Sequence, residues 1–330
     1  MDVSVDIWMK RLAPYMKANN SRAWFELGLT ACLYVLCVAM GYALVVAGNY
    51  GGLLCIIPGA FLIVRLFIIQ HDCGHGALFL TKAMNDWVGR FLGVFTITPY
   101  DHWRHQHALH HAGSGNLEKR RVGDDIHTLT LAEYEALSPR KQWQYRFFRH
   151  PFTLFVIGPF YLFFLLHRLP EGRYGQPSAW VSVICNNIGI AIYMTALWML
   201  FGWQMVLLIT LPIIYFGAAI GVWLFYIQHQ YEETHWSRPP AWSRKHAALY
   251  GSSYYALPTP IMWLTGYIGV HHVHHLSSRI AFFELPKILK EFPELKTIGR
   301  MNFIQSLKCA RLALWDEAQG RMLSFKELKA

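Results

Sequence analysis

The chain contains two long stretches without a charged side chain. No Asp, Glu, Lys or Arg occurs in residues 27–64 or 174–231, runs of 38 and 58 residues. A helix needs about 20 mostly apolar residues to cross the hydrocarbon core of a bilayer, so each run is long enough for two crossings. Each run also contains a turn-forming segment, GNYGG at 48–52 and FGWQ at 201–204. We therefore predict two helical hairpins, with spans near residues 24–47, 53–70, 179–200 and 204–228.

A third apolar run, HPFTLFVIGPFYLFFLLH at 150–167, is almost long enough for a further span. Loops rich in Lys and Arg stay on the cytoplasmic side of a membrane. With four spans, the N-terminus, the loop 71–177 and the region 229–330 lie on one side, together with all 30 Lys and Arg residues. A fifth span would move Arg168 and the whole C-terminal region across. We therefore predict one domain, 1–330, in which 150–167 lies in the membrane interface or re-enters the membrane.

The composition agrees with a membrane protein. Charged residues make up 15% of the chain and hydrophobic residues 54%, whereas soluble proteins contain about 25% charged residues. The net charge of +10 suits cytoplasmic loops that face anionic lipid headgroups, so we expect membrane lipids and no nucleic acid as partners. The six cysteines form no CxxC pair and are expected to be packing residues. The lack of a targeting segment favours a bacterial inner membrane, with the active site on the cytoplasmic side.

Seventeen histidines are present, and most of the informative ones fall into three clusters. The clusters read HDCGH at 71–75, HALHH at 107–111 and HHVHH at 271–275. Residues three and four apart share one face of a helix, so we expect each cluster to direct two or three imidazoles toward one point. Under the four-span topology all three clusters lie on the same side of the membrane, just beyond the ends of spans.

The number of histidines indicates more than one metal ion. A zinc ion takes about four ligands, and a catalytic zinc site only about three from the protein. Eight histidines therefore suit two metals with four or five nitrogens each. Imidazole binds Zn, Cu, Fe and Ni, so the ligand type does not choose the metal. A two-metal site beside a membrane, without an evident hydrolytic carboxylate, indicates redox chemistry on a lipid, with iron as the first choice.

The three clusters resemble the histidine boxes of the integral-membrane fatty-acid desaturases. That family carries HxxxH, HxxHH and HxxHH in this order, with a hydrophobic hairpin between the second and third boxes. The segments WRHQHALHHAGSGNLEKRRVGDD, YIQHQYEETHW and GVHHVHHLSSRI further resemble acyl-lipid desaturases, and the likeness runs from about residue 25 to about residue 295. The resemblance implies an all-α membrane protein with four transmembrane helices in two hairpins and a helical cytoplasmic cap that holds a histidine-rich site for two iron ions.

The resemblance also implies the metal ligands. Eight carry over by position: His71, His75, His107, His110, His111, His271, His274 and His275. A ninth histidine often follows the fourth span in this family, and His229 in YIQHQYEE is the best match, with His235 as the second choice.

Other polar residues near the boxes have less specific expectations. Three histidines are extra to the family pattern and are expected to support the ligands or to lie at the surface: His102, His105 and His272. Four isolated histidines are expected to be ordinary polar residues: His127, His150, His167 and His246. Carboxylates can fix the tautomer of a metal-bound imidazole, and the candidates here are Asp72, Asp124, Asp125, Glu232 and Glu233. For Asp124 and Asp125 we expect solvated carboxylates instead.

The chemistry expected from the resemblance is O2-dependent desaturation of a fatty acyl lipid. An unactivated methylene C–H bond is too strong for side-chain acids and bases, so a bound metal must supply the oxidising power and O2 is the co-substrate. Acyl chains in glycerolipids are favoured over acyl-CoA by the resemblance alone. The chain has no nucleotide fingerprint, no iron–sulfur thiolate set and no HPGG-type haem motif. We therefore expect a separate electron donor, a ferredoxin or a cytochrome b5-like protein, that docks on the basic cytoplasmic face.

Two alternatives remain open at this stage. A di-iron hydroxylase or ketolase of a lipid would use the same histidine spacing and differ only in its product. A membrane metal carrier or sensor would need ionisable groups inside the bilayer, and these spans have almost none at mid-depth. Residues 284–330 either contribute to donor docking or form an amphipathic helix on the membrane.

Overall fold

The computed structural model describes residues 5–120 and 125–329 of the chain. Within them the helices are α1 Val5–Leu12, α2 Asn20–Val46, α3 Ile56–Gly74, α4 Lys82–Phe95, α5 Tyr100–Gly113, α6 Leu131–Glu135, α7 Pro139–Phe148, α8 Gly158–Phe160, α9 Pro177–Phe201, α10 Leu211–His229, α11 Arg244–Tyr250, α12 Thr259–Leu264, α13 His271–Leu276, α14 Leu285–Glu291 and α15 Phe303–Cys309. The strands are β1 Leu129–Thr130, β2 Tyr254–Tyr255, β3 Arg300–Met301, β4 Leu312–Asp316 and β5 Arg321–Ser324.

Four helices of the described residues are long and apolar enough to cross a membrane. We call them spans 1 to 4, and they comprise Asn20–Val46, Tyr50–Gly74, Pro177–Phe201 and Met205–His229. The predicted membrane protein with four transmembrane helices in two hairpins is confirmed. Both hairpins turn at a glycine with positive φ, Gly48 at 79° and Gly202 at 86°. Glycine adopts this left-handed backbone without the steric cost that a Cβ imposes.

The apolar segment predicted to lie in the interface forms an irregular helix. Two π-helical stretches flank α8, and the helical segment Thr153–Arg168 is bent by 54° from α7. By length and composition alone, α7 and this segment together could form a broken fifth span or a re-entrant loop. The placement of 150–167 at one side of the membrane therefore stays a prediction.

Span 2 occupies the centre of the bundle and is tied to the cap, by which we mean the described residues 75–120, 125–176 and 230–329. It packs against spans 1 and 4. Its one charged residue before the first histidine, Arg65, is 1% exposed. Arg65 pairs with Glu26 of span 1 at 2.6 Å and donates to the backbone carbonyl of Trp263 in the cap. A buried charge is tolerated when it is paired and hydrogen-bonded in this way, so Arg65 links the bundle to the cap.

The cap contains two small sheets that the sequence analysis did not predict. In one sheet β4 lies between β1, to which it is parallel, and β5, to which it is antiparallel; in the other β2 and β3 are parallel. Arg149, which is 2% exposed, donates to the carbonyl of Leu312 and to the side chains of Tyr226 and Gln230 at 2.8–3.0 Å. These bonds attach the C-terminal hairpin to the cap-side end of span 4.

Candidate metal centre

Five histidines from three distant segments converge at the end of span 2. We call them the five-histidine group: His71, His75, His107, His111 and His274. One ring nitrogen of each lies within 4.8 Å of the others. His71 lies in the last turn of α3 and His75 directly follows that helix, whereas His107 and His111 come from α5 and His274 from α13.

Four further histidines converge beside the first set. We call them the four-histidine group: His110, His229, His271 and His275. Their nitrogens also lie within 4.8 Å of one another. His229 ends span 4, and its Nε2 lies 3.0 Å from Nε2 of His271. The structure therefore brings together all nine histidines that the sequence analysis named as metal ligands, with His229 rather than His235 as the ninth.

Each HxxHH box is divided between the two groups, which corrects the expectation that one box points at one position. In α5, His107 and His111 join the five-histidine group and His110 joins the other. In α13, His271 and His275 join the four-histidine group and His274 joins the other. Positions i and i+4 lie nearly above one another on a helix, whereas i+3 is rotated to the other side of that line. Helices α5 and α13 therefore each contribute histidines to both groups.

The distances within each group fit the coordination of a metal ion. Nε2 of His107 lies 3.0–3.1 Å from Nε2 of His71, His75 and His111, and Nε2 of His110 lies 3.2 Å from that of His275. Two nitrogens bound about 2.0–2.1 Å from one ion are separated by about 2.9–3.4 Å at coordination angles of about 90–110°. Each group thus has the size of a first coordination sphere.

Burial favours the neutral form of five of these imidazoles, the form that metal ligation requires. It lowers the pKa of His75 to about 3, and it places the pKa values of four further histidines well below their usual range: His107, His111, His274 and His275. Neighbouring histidines lower them further. A neutral imidazole presents a lone pair, and several lone pairs aimed at one point repel one another unless a cation lies between them. The residues therefore fit two metal ions.

Two carboxylates orient one ligand candidate in each group. Oδ1 of Asp72 lies 2.9 Å from Nδ1 of His71, and its Oδ2 accepts the backbone N–H of Phe282 at 2.7 Å. Asp125 accepts a hydrogen bond from Nδ1 of His110. A carboxylate in this position fixes the ring so that Nε2 faces the metal. The expectation of a solvated Asp125 is wrong, because its side chain is 8% exposed and engaged with His110. Asp124 lies outside the described residues.

The other candidates do not reach the two groups. Glu232 lies 3.7 Å from Arg321, and Glu233 is exposed, so neither is seen to hold a ligand. His235 contacts His246 instead. His105 is exposed, whereas the buried His102 donates its backbone N–H to the hydroxyl of Ser182.

His272, which the sequence analysis placed outside the ligand pattern, is a buried supporting residue rather than a surface one. It is fully buried, and its Nε2 bonds to the backbone carbonyl of Leu295 at 2.9 Å. It therefore packs residues near 295 against the helix that carries His271, His274 and His275. The HxxHH spacing already left this histidine outside the ligand set, and its ring points away from both groups.

An apolar cavity of about 180 Å³ leads from the bundle to both groups. Its walls come mainly from α3 and α10, and its polar end is formed by His71, His107 and His271. His71 and His107 belong to the five-histidine group and His271 to the other. The apolar interior therefore ends between the two candidate metal positions.

Helix α10 forms one wall of this cavity, and three of its lining residues, Gly217, Ala218 and Gly221, are small. Ile214, Ala218, Gly221, Phe225 and Gln228 line it at helical spacing. A Cβ at Gly221 would meet no atom within 4 Å. Because Gly221 lies in the middle of this cavity-lining stripe, a side chain there would project into the cavity.

The comparisons with known proteins agree with this geometry. The sequence profile named "Fatty acid desaturase" matches residues 47–300. The chain is also 40% identical, over 276 residues, to a protein of Bacillus subtilis (strain 168) named "Fatty acid desaturase", with 84% of this chain and 78% of that protein covered. This chain belongs to the fatty acid desaturase family. Fatty acid desaturases are oxidoreductases, so the chain is an enzyme of that class.

More distant desaturases are similar over a smaller share of their length. The "sn-1 acyl-lipid omega-3 desaturase (ferredoxin)" of Synechocystis sp. is 26% identical over 67% of this chain and 61% of its own length. The "Probable fatty acid desaturase DES1" of Sorghum bicolor is 27% identical over 68% of this chain and 58% of its own length. The chain thus spans about three fifths of each of these two desaturases. All nine histidines of the two groups lie inside the region matched by the desaturase profile.

Proposed function

We propose that the protein is an O2-dependent fatty acyl desaturase that introduces a cis double bond into a lipid-linked acyl chain with two iron ions. The balanced reaction is R–CH2–CH2–R′ + O2 + 2 e⁻ + 2 H⁺ → R–CH=CH–R′ + 2 H2O. The observation that carries the proposal is the apolar cavity that ends on imidazoles of both groups, His71, His107 and His271. An acyl chain in that cavity would place a methylene pair beside both metal positions.

The nine histidines would hold the irons: the five-histidine group one ion and the four-histidine group the other. When bound, the irons supply the oxidising power that an unactivated C–H bond requires. Asp72 and Asp125 keep Nδ1–H of His71 and His110 occupied, so that Nε2 of each ring stays available to a metal. The apolar walls of the cavity exclude water and hold the acyl chain by burial of its methylenes, each worth about 0.8 kcal/mol.

The electrons would come from a separate protein, a ferredoxin or a cytochrome b5-like donor. The name of the Synechocystis relative includes ferredoxin, which supports the first of these for this chain. The basic residues between and after the hairpins favour an orientation with the cap on the cytoplasmic side, in keeping with the distribution of Lys and Arg in membrane proteins. A bacterial inner membrane fits this arrangement.

The direct test is to express the chain in a host without desaturases and to identify the fatty acids by gas chromatography and mass spectrometry. We expect products two hydrogens lighter than their precursors, with a cis double bond. A product heavier by one oxygen would instead assign the hydroxylase alternative. An unchanged profile, with folded and iron-loaded protein in the membrane, would contradict the proposal.

A cavity-filling variant tests where the acyl chain binds. Gly221→Phe should exclude long acyl chains and lower product formation, because the added ring would occupy the cavity. The matched control is Gly28→Phe in span 1, where an added Cβ also meets no atom within 4 Å but the position is exposed on the outside of the bundle. Equal activity of the two variants would place the acyl chain elsewhere.

A further inference from the structure

A surface tryptophan is connected to the four-histidine group by two successive hydrogen bonds. The indole Nε1 of the partly exposed Trp242 donates to the backbone carbonyl of Ser114 at 3.1 Å. The backbone N–H of Ser114 donates in turn to the carbonyl of His110 at 2.8 Å. His110 belongs to the four-histidine group, so a short path of covalent and hydrogen bonds joins the protein surface to a candidate metal ligand.

The loop that carries Trp242 is fixed against this path. The backbone N–H of Ser237 donates to the carbonyl of Gly115 at 2.9 Å, and the N–H of Leu117 donates to the carbonyl of Ser237 at 3.1 Å. The loop preceding Trp242 is therefore bound to the backbone that follows α5. This pairing holds the tryptophan in place beside Ser114.

Two cations beside the tryptophan, Lys119 and Arg244, form no ion pair within the described residues. The Lys119 ammonium lies 5.3 Å from the centroid of a Trp242 ring, and Arg244 is exposed two residues after the tryptophan. Within residues 5–120 and 125–329, neither Lys119 nor Arg244 forms an ion pair with a carboxylate. The neighbouring Arg238 and Lys245 are paired, with Glu317 and Asp6 respectively. Basic residues around a partly exposed aromatic ring suit a docking site for an acidic protein.

The four-histidine group has no histidine at the solvent. Its four side chains are 0–6% exposed, so a protein donor cannot touch the metal position and electrons must pass through the intervening protein. The Trp242–Ser114–His110 path supplies such a route, and it begins beside the two unpaired cations Lys119 and Arg244.

We propose that the surface formed by Lys119, Trp242 and Arg244 is the docking site of an acidic, ferredoxin-type one-electron donor, and that electrons enter the four-histidine group through Trp242, Ser114 and His110. This inference rests on the proposed desaturase function. Two donor molecules each lose one electron, and these two electrons, with two protons, complete the reduction of O2 to water written above.

The docking step is tested by charge reversal. The double variant Lys119→Glu/Arg244→Glu should bind a reduced plant-type [2Fe–2S] ferredoxin more weakly and oxidise it more slowly. We expect a loss of about tenfold or more in the second-order rate constant at low salt, and a smaller loss at high salt, because electrostatic steering is screened. The matched control is Arg140→Glu/Lys141→Glu on α7, two adjacent exposed cations far along the chain from the tryptophan. An equal loss in both variants, or none in the first, would overturn the docking site.

The path is tested by Trp242→Phe, which keeps an aromatic ring at the surface but removes the donor to Ser114. We expect unchanged affinity for the ferredoxin and a slower electron transfer within the complex, followed by anaerobic stopped-flow absorbance. A transfer rate equal to that of the unaltered protein would overturn the path.

A small chemical reductant separates this inference from the function itself. With reduced methyl viologen in place of ferredoxin, Trp242→Phe and the two double variants should form unsaturated product at the rate of the unaltered protein. If the unaltered protein forms no product with either reductant, the proposed function fails. If it forms product with both, and the double variant Lys119→Glu/Arg244→Glu leaves ferredoxin turnover unchanged, only the docking site fails.

Discussion

The five-histidine group and the four-histidine group are built largely from the same helices, yet their surroundings differ. In the five-histidine group, His75 is partly exposed and His111 is 9% exposed. In the four-histidine group, exposure reaches at most 6%. The first group therefore has more nitrogens and an edge near solvent, whereas the second has fewer nitrogens and is enclosed by protein.

If each group holds one metal ion, as we propose, the difference indicates that the two candidate metal positions have different roles. A group with fewer protein ligands leaves more of an ion's coordination sphere open, which is the usual arrangement at a catalytic metal. An enclosed group depends on the protein for electrons, as the path through Trp242 would provide. Helices α5 and α13 contribute histidines to both groups, but each imidazole belongs to only one group.

Removing one imidazole should produce the largest effect and should act on one group only. His107→Ala and His271→Ala should each reduce product to background, since both rings lie at the end of the cavity. Each variant should lose about one of the two irons, measured by mass spectrometry of the purified protein. The control is His272→Gln, in the same box but outside both groups, which should retain both irons. Loss of both irons from each alanine variant would mean that the groups are not separate sites.

Removing one supporting carboxylate should have a smaller effect on metal binding, and it should again act on one group only. Asp72→Asn should weaken the metal of the five-histidine group and Asp125→Asn that of the four-histidine group, each by about 10–100-fold, because the partner of a ligating imidazole sets its orientation. Competition with a chelator measures both affinities. Asp101→Asn, which removes only a partner of Arg90, serves as the control. Equal weakening of both metals by Asp125→Asn would contradict the assignment of Asp125 to one group.

The spans could be predicted from the sequence because the length of an apolar run is a direct physical constraint. The predicted second span, 53–70, falls inside the observed Tyr50–Gly74, which continues into the first histidine box. The predicted first span, near 24–47, begins later than the observed Asn20. The helix starts earlier because Asn19 caps it and because the charge of Glu26 is matched by Arg65 of span 2. A charged residue at a span end is therefore no sign that the helix has stopped.

The histidine boxes predicted the members of the centre but not their division. Sequence spacing alone does not say that His110 and His274 leave the groups of their neighbours, since that depends on where α3, α5, α13 and the end of span 4 meet. The role of Asp125 was missed for the same reason: a Gly-Asp-Asp segment is usually solvated, and here the fold places one carboxylate beside His110. The short strands of the C-terminal region carry too little periodicity to be recognised.

Acid should produce the smallest of the expected changes, and it acts on the metal-free protein. Burial lowers the pKa of His75 to about 3 and that of His272 to about 4, whereas an imidazole in an unfolded chain titrates near about 6.5. Below about pH 6.5 the unfolded state binds more protons, so the free energy of unfolding should fall as the pH falls toward about 4.

Thermal unfolding of the metal-free protein between about pH 7.5 and about pH 5 measures this effect. We expect a midpoint temperature that decreases with pH, and a larger decrease for the unaltered protein than for His272→Gln, which has one fewer buried imidazole to protonate. A midpoint that stays constant or rises in acid would contradict neutral, buried histidines at the centre.

The most direct test of the two-group account is the iron content of the unaltered protein. Protein purified from iron-replete cells, with its concentration fixed by amino-acid analysis, should contain about two irons per chain. A reproducible value of one iron or none, in protein that is folded and active, would contradict the account.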